Sequence, residues 1–214
     1  MEFIDEKLSE YAEIHSSAEP ALLKQLNRDT HANVMSPRML SGHLQGRFLS
    51  LLSHLMRPRQ ILEIGTYTGY SALSLAEGLA EKGVLHTIDI NEELEERTRK
   101  YFDASDYSSK IIYHIGNALT IIPTLQGPFD VVFIDADKEN YSTYYDLVID
   151  KMPSGGLLIA DNVLWSGKVT DAAALTKDNT TKLLDAFNKK VSSDDRMEVV
   201  LVPIRDGLLL ARRK

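Results

Sequence analysis

Two apolar stretches of this chain stop abruptly at side chains that carry oxygen. Phe129-Asp130-Val131-Val132-Phe133-Ile134 runs into Asp135-Ala136-Asp137-Lys138, and Gly155-Gly156-Leu157-Leu158-Ile159-Ala160 runs into Asp161-Asn162. Short apolar runs of this kind suit strands buried on both faces of a parallel sheet. In an open α/β sheet, ligands bind beyond the carboxyl ends of the strands. If the two strands are neighbours they lie roughly 4.8 Å apart, and Asp135, Asp161 and Asn162 converge as three oxygen donors. Such a set suits a hard divalent cation, with coordination positions left for water or a chelating substrate. Lys138 follows Asp135 by three residues and can reach the same place. Each residue alone also has a plainer reading. A strand-ending acid commonly caps the next helix, and a lysine is commonly solvated. The capping reading suits Asp161-Asn162 less well, because Val163-Leu164-Trp165-Ser166-Gly167 does not read as a helix.

A second constellation lies upstream. Glu63-Ile64-Gly65-Thr66-Tyr67-Thr68-Gly69-Tyr70-Ser71 reads as strand, turn and helix start, and its glycines allow a tight turn with close approach to a ligand. The spacing G-x-x-x-G is neither the dinucleotide fingerprint nor a phosphate-binding loop ending in Gly-Lys-Ser/Thr. Asp89 ends the next strand, 24 residues after Gly65, where an acid can accept hydrogen bonds from ribose hydroxyls. A plain turn and a helix-capping acid account for either feature alone. Together, in this order, they favour a cofactor that contains a nucleoside.

The elements that must position these residues follow from periodicity. Residues 3–56 read as helical: Phe3, Ile4, Leu8, Tyr11 and Ile14 fall near helical spacing, and Ser17-Ala18-Glu19-Pro20 opens a second helix. A third covers 41–56, with Leu44, Phe48, Leu51, Leu52 and Leu55 on one face, and Arg57-Pro58-Arg59 breaks it. From residue 60 strands alternate with helices: strands at 61–64, 84–89, 111–115 and the two above, and helices at 71–81, after Asn91, at 139–150 and at 178–191. Residues 197–202 and 207–212 read as a closing antiparallel pair, because the link between them is short. The expected fold is α/β: a Rossmann-like, doubly wound, mostly parallel sheet with an antiparallel C-terminal strand, plus N-terminal helices. We expect one domain over 1–214, with a helical cap at 1–56 and a cofactor-binding core at 57–214.

Composition narrows the function. The 214 residues are 43% hydrophobic and 26% charged, with net charge −7, ordinary values for a globular domain. The acidic balance, with basic residues scattered except at the tail, argues against nucleic acid as partner. The absence of cysteine excludes disulfides and thiolate chemistry. No apolar run is long enough to span a membrane, and Met1-Glu2-Phe3-Ile4-Asp5-Glu6 lacks the apolar core of a signal peptide, so a cytoplasmic protein is expected. His31, His43 and His54 are not spaced as metal ligands and read as structural or surface residues.

Taken together, the glycine turn, Thr87-Ile88-Asp89, Phe133-Ile134-Asp135-Ala136-Asp137-Lys138, Ala160-Asp161-Asn162 and Asp206-Gly207 resemble class I S-adenosylmethionine-dependent O-methyltransferases. The resemblance is to the cation-dependent caffeoyl-CoA and catechol enzymes, and it runs from about residue 35 to the C-terminus. It implies that Glu63, Gly65, Tyr67 and Ser71 border the methionine part of S-adenosylmethionine and that Asp89 holds the ribose. Ala118 would contact adenine through its backbone, and Asp137 would approach the cofactor's amino group. Met39 and Ser41 would lie near the transferred methyl. Asp135, Asp161 and Asn162 would bind Mg²⁺, or Mn²⁺ or Ca²⁺. Lys138 matches a proposed general base. Asp206 matches a residue on the acceptor side, where the sole tryptophan, Trp165, is a further candidate. Gln45 departs from the family by standing where an acid is usual. The resemblance also implies a homodimer and a small catechol-like acceptor, with specificity set by the N-terminal helices and by 163–177. Arg38, Arg47 and Arg205 are candidates for anchoring a CoA ester. Other classes remain open at this stage: a methyltransferase with an amine or natural-product acceptor, a cofactor-binding module without catalysis, and a nicotinamide oxidoreductase, which the glycine spacing disfavours.

Overall fold

The computed structural model describes residues 5–214. Phe3 and Ile4, expected on the first helix, lie outside the described residues. Three helices come first: α1 (Glu6–Ile14), α2 (Ala21–Asn33) and α3 (Gly42–Met56). Asp5 caps α1, its carboxylate accepting from Lys7 N at 3.0 Å. Pro20 stands at the N-cap of α2, and Arg57 ends α3 in the left-handed region. A single 3-10 turn, Pro37–Met39, sits in the connector from α2 to α3.

The strands then follow as β1 (Gln60–Ile64), β2 (Val84–Asp89), β3 (Ile111–Ile115), β4 (Val131–Ile134), β5 (Leu157–Ala160), β6 (Met197–Val202) and β7 (Leu208–Arg213). They form one sheet in the order β3-β2-β1-β4-β5-β7-β6. β1 to β5 pair in parallel, and β7 runs antiparallel to both β5 and β6. The expected doubly wound sheet with an antiparallel C-terminal pair is the one observed. The strand order reverses between β1 and β4, the kind of place where such sheets open a crevice for ligands.

The other helices are α4 (Tyr70–Ala76), α5 (Glu95–Asp103), α6 (Ala118–Ile121), α7 (Tyr141–Ile149), α8 (Ala172–Lys177) and α9 (Asn179–Ser192). Period-two alternation along the strands divides the core. Leu62, Ile64, Val132, Ile134 and Leu158 pack with α7 and α9 on one face. Ile61, Val131, Phe133 and Ile159 pack with α2, α3, α4 and α5 on the other.

Three expectations shift. The apolar face expected on α3 is not the buried one: Leu51 and Leu55 are exposed, while Gln45, Gly46, Leu49, Ser50 and Ser53 turn to the core. The helix expected over 71–81 ends at Ala76, because Gly78 lies so close to the backbone of Ser53 and His54 that no side chain fits there. The chain therefore turns away beneath α3. The stretch after Asn162 forms a 3-10 segment, Trp165–Thr170, broken by left-handed angles at Ser166 and Gly167, and α8 follows it.

Candidate active site

The turn after β1 is shaped by glycine. Gly65 and Gly69 adopt φ of +100° and +90°, a region that side chains rarely enter. A Cβ on Gly65 would collide with the carbonyl oxygen of Asp135, so the turn lies directly against the end of β4. Asp89 locks it from β2: one carboxylate oxygen accepts from Thr66 N at 3.0 Å and Tyr67 N at 2.6 Å, and the other from Asn91 N at 2.9 Å. Asn91, expected as a cap, accepts from Glu93 N at 3.0 Å. Tyr67 is held at φ +49°, and its hydroxyl donates to Met35 O at 3.0 Å. The glycine turn thus carries part of the connector above it.

Glu63 is fully buried. Oε2 accepts from Thr87 Oγ1, but Oε1 accepts no hydrogen bond from the described residues. Burial, chiefly, pushes the carboxyl pKa up to about 8, while the nearby hydroxyls of Ser71 and Thr87 pull the other way. A buried carboxyl oxygen without a partner, beside the glycine turn, fits a ligand that brings a polar group to it. Ser71 is buried at the start of α4, and Ala118 is buried at the start of α6, behind its cap Asn117. Asp137 is engaged by the next helical turn, its two oxygens accepting from Tyr144 OH and Asn140 Nδ2. Met39 is 58% exposed on the connector, whereas Ser41 is buried.

β4 and β5 are adjacent, with Ile134 opposite Ala160. Asp135 and Asp161 are therefore the next residues on neighbouring strands, and Asp161 N donates to Ile134 O at 2.9 Å. Asn162 follows in the left-handed region, at φ +58°. Lys138 Nζ donates to Asp135 Oδ1 at 3.1 Å and to Tyr141 OH at 2.6 Å, and that hydroxyl donates in turn to the carbonyl of Asp161 at 3.0 Å. Asp161 is only 3% exposed. Burial and then the charge of Asp135 push its pKa up to about 6. Two acids this close repel, and a divalent cation between oxygen donors is the standard relief of such repulsion; the donor chemistry fits one.

The residues expected on the acceptor side lie on two loops. Asp206 Oδ1 accepts from Ser166 N, while Leu164 N donates to Asp206 O at 2.9 Å. Trp165 is half-buried at φ +48°, and its indole N–H has no partner among the described residues. The arginines divide. Arg47 forms a two-pronged pair with Glu77, at 2.8 and 2.6 Å. Arg205 Nη1 donates to Leu40 O at 2.8 Å and also to Ser41 O. Arg38 is exposed and has no ion pair among the described residues. His31, His43 and His54 bond to backbone carbonyls, at Asn27, Ser17 and Ser50.

Three participants were not legible as such in the sequence. Tyr141, fully buried, has only its i+3 spacing from Lys138 to mark it. Gln45, also fully buried, reaches Asp161 across 116 residues. Arg205 reaches Ser41 across 164.

The chain is similar to known proteins over nearly its whole length. A family model described as O-methyltransferase matches residues 13–214. A caffeoyl-CoA O-methyltransferase of Petroselinum crispum is 34% identical over 205 residues, covering 91% of this chain and 85% of that protein. Among solved structures, an O-methyltransferase of Bacillus cereus in complex with SAH (S-adenosylhomocysteine) superposes with a TM-score of 0.88 at 26% identity, covering 97% of each chain. The SAH-bound methyltransferase PaMTH1 of Podospora anserina has a TM-score of 0.88 at 27% identity, covering 97% of this chain and 94% of that one.

Proposed function

Given that the chain belongs to the O-methyltransferase family, as an S-adenosylmethionine-dependent enzyme of the caffeoyl-CoA type, we propose that it methylates one hydroxyl of a vicinal dihydroxy aromatic molecule with the help of a divalent cation. The observation that carries this reading is the meeting of Asp135 with Asp161 and Asn162 at paired strand ends, with Lys138 against Asp135. Asp135, Asp161 and Asn162 hold the cation, Mg²⁺ by preference. When bound, a divalent cation lowers the pKa of a coordinated hydroxyl and stabilises its anion. S-adenosylmethionine supplies the methyl group on a sulfonium.

The chain's own residues do the rest. Glu63, Gly65, Tyr67 and Ser71 would border the methionine part, with Met39 and Ser41 near the methyl and Asp137 near the amino group. Asp89 accepts from the ribose, and the backbone at Ala118 contacts adenine. Lys138 takes the acceptor's proton at Nζ, whose place is set by Asp135 and by the hydroxyl of Tyr141. Trp165 and Asp206 border the acceptor. Most of the acceleration comes from holding nucleophile and methyl in line at near-attack distance.

Arg47 and Arg205, considered as anchors for a CoA ester, are both engaged within the protein. Arg38, exposed and without an ion pair among the described residues, is the candidate left to anchor a CoA ester, the acceptor for which the relatives are named.

The test is methyl transfer from S-adenosylmethionine to caffeic acid and to caffeoyl-CoA, with Mg²⁺ and with EDTA. Transfer to caffeic acid that EDTA abolishes is the expected result. Transfer that survives EDTA in metal-stripped protein would remove the cation from the reading.

A further inference from the structure

Gln45 is fully buried in α3, one turn past the connector, and is an uncharged side chain set against a buried acid. Its Nε2 donates to Asp161 Oδ2 at 2.7 Å, and its Oε1 accepts from Arg205 Nη1 at 3.4 Å. The two neighbours decide which end of the amide faces which, because a carboxylate only accepts and a guanidinium only donates. Arg205 is itself fixed, since its guanidinium also donates to the carbonyls of Leu40, Ser41 and Arg38.

The other donors near Asp161 are committed elsewhere. Asn162 N bonds to Oδ1 at 2.6 Å, and Lys138 is turned to Asp135 and Tyr141. Among the described residues, Gln45 is the only donor to Oδ2. An apolar residue of the same length would leave that buried oxygen without a donor. Glutamate would keep Arg205 but set a like charge against Asp161. The amide is the group that satisfies both neighbours at once.

We infer that Gln45 is a positioning residue: it fixes the rotation of the Asp161 carboxylate for the cation, and Arg205 locks its amide in the required orientation. This rests on the reading of Asp161 as a cation ligand given above.

The test is Mn²⁺ titration of the full chain at one fixed pH, followed by the electron paramagnetic resonance of free Mn²⁺. Parent, Gln45→Met, Arg205→Met, the double variant and Asp161→Asn are compared, with S-adenosylhomocysteine affinity as a control for Gln45→Met. Groups that orient metal ligands typically change metal affinity by about 10–100-fold. We expect Gln45→Met to weaken Mn²⁺ at least tenfold while S-adenosylhomocysteine binding stays within about twofold. Arg205→Met should weaken Mn²⁺ less, and the double variant no more than Gln45→Met alone, because both act through one amide.

A merely structural role for Gln45 would lower the melting temperature and leave Mn²⁺ affinity alone. Mn²⁺ affinity within twofold of the parent in Gln45→Met overturns the inference by itself. Additive losses in the double variant overturn the locking role of Arg205. If Gln45→Met does not fold, Arg205→Met carries the test, and unchanged Mn²⁺ affinity there overturns the inference. A parent that binds Mn²⁺ no better than Asp161→Asn overturns the cation reading itself, and with it this one.

Discussion

At the ends of β1 and β2 the polar groups are held mainly by backbone, whereas at the ends of β4 and β5 they are held by side chains, one from three residues away and one from a distant helix. Asp89 is fixed by three backbone N–H groups, at Thr66, Tyr67 and Asn91. Asp135 is fixed by Lys138 Nζ and Asp161 by the amide of Gln45. Backbone donors exist at every residue except proline, so the first half needs only glycines at Gly65 and Gly69 to bring them to Asp89. The second half needs particular side chains, because charge and donor count must match each acid. The cofactor half is therefore expected to tolerate changes of side chain but not of turn shape, and the acid half the reverse.

That contrast can be broken in several ways. The largest effect is expected at Asp161→Ala. Loss of a cation site worth several kcal/mol lowers turnover by on the order of 10³-fold, while S-adenosylhomocysteine binding by calorimetry stays nearly intact; joint loss of both would mean that the two halves are not separable. Lys138→Met should lower kcat by about 10²-fold, the usual scale for a general base, with little change in acceptor KM; an unchanged rate rejects the role. Asp89→Ala should weaken S-adenosylhomocysteine more than about tenfold, since it removes both an acceptor and the clamp on the turn, and an unchanged calorimetric affinity would take Asp89 away from the cofactor.

Smaller effects sharpen the comparison. Arg47→Met leaves Glu77 without its partner in a mostly buried setting and should destabilise by about 2 kcal/mol in urea titration. The acceptor KM should not move, and a raised KM for caffeoyl-CoA would restore Arg47 as an anchor.

Glu63 supplies a pH dependence. Burial raises its folded pKa from an ordinary 4.5 to about 8. The folded state holds the proton more tightly, so this stabilisation is complete below about pH 4.5 and is lost as pH rises through about 8. The melting temperature of ligand-free protein should fall across that window, and Glu63→Gln should flatten the fall. A parallel decline in the variant would assign the effect to other groups.

The sheet was legible because each central strand is a short apolar run ended by a polar residue, and because from residue 60 such runs alternate with segments of helical spacing. Burial on both faces allows almost no other composition. The C-terminal antiparallel pair followed from a link too short for a crossover. The helix over 70–76 was read too long, because what stops it is the approach of Gly78 to α3, a contact with no local signal. Likewise the 3-10 segment at Trp165–Thr170 depends on Asp206 bonding to Ser166 N from another loop.

Asp135, Asp161, Asn162 and Lys138 were readable as a group because strand neighbours bring strand-end residues together wherever two strands pair. By itself, then, the sequence determined the order of elements, the acids that end the strands and the glycines of the turn, all written in local pattern. Only the tertiary structure decided what Asp161 meets from afar: Gln45 on its carboxylate and Arg205 behind Gln45. The physical reason is that a hydrogen bond depends on distance and orientation in space. Residues 116 and 164 positions apart come within reach only after the sheet and α3 have packed.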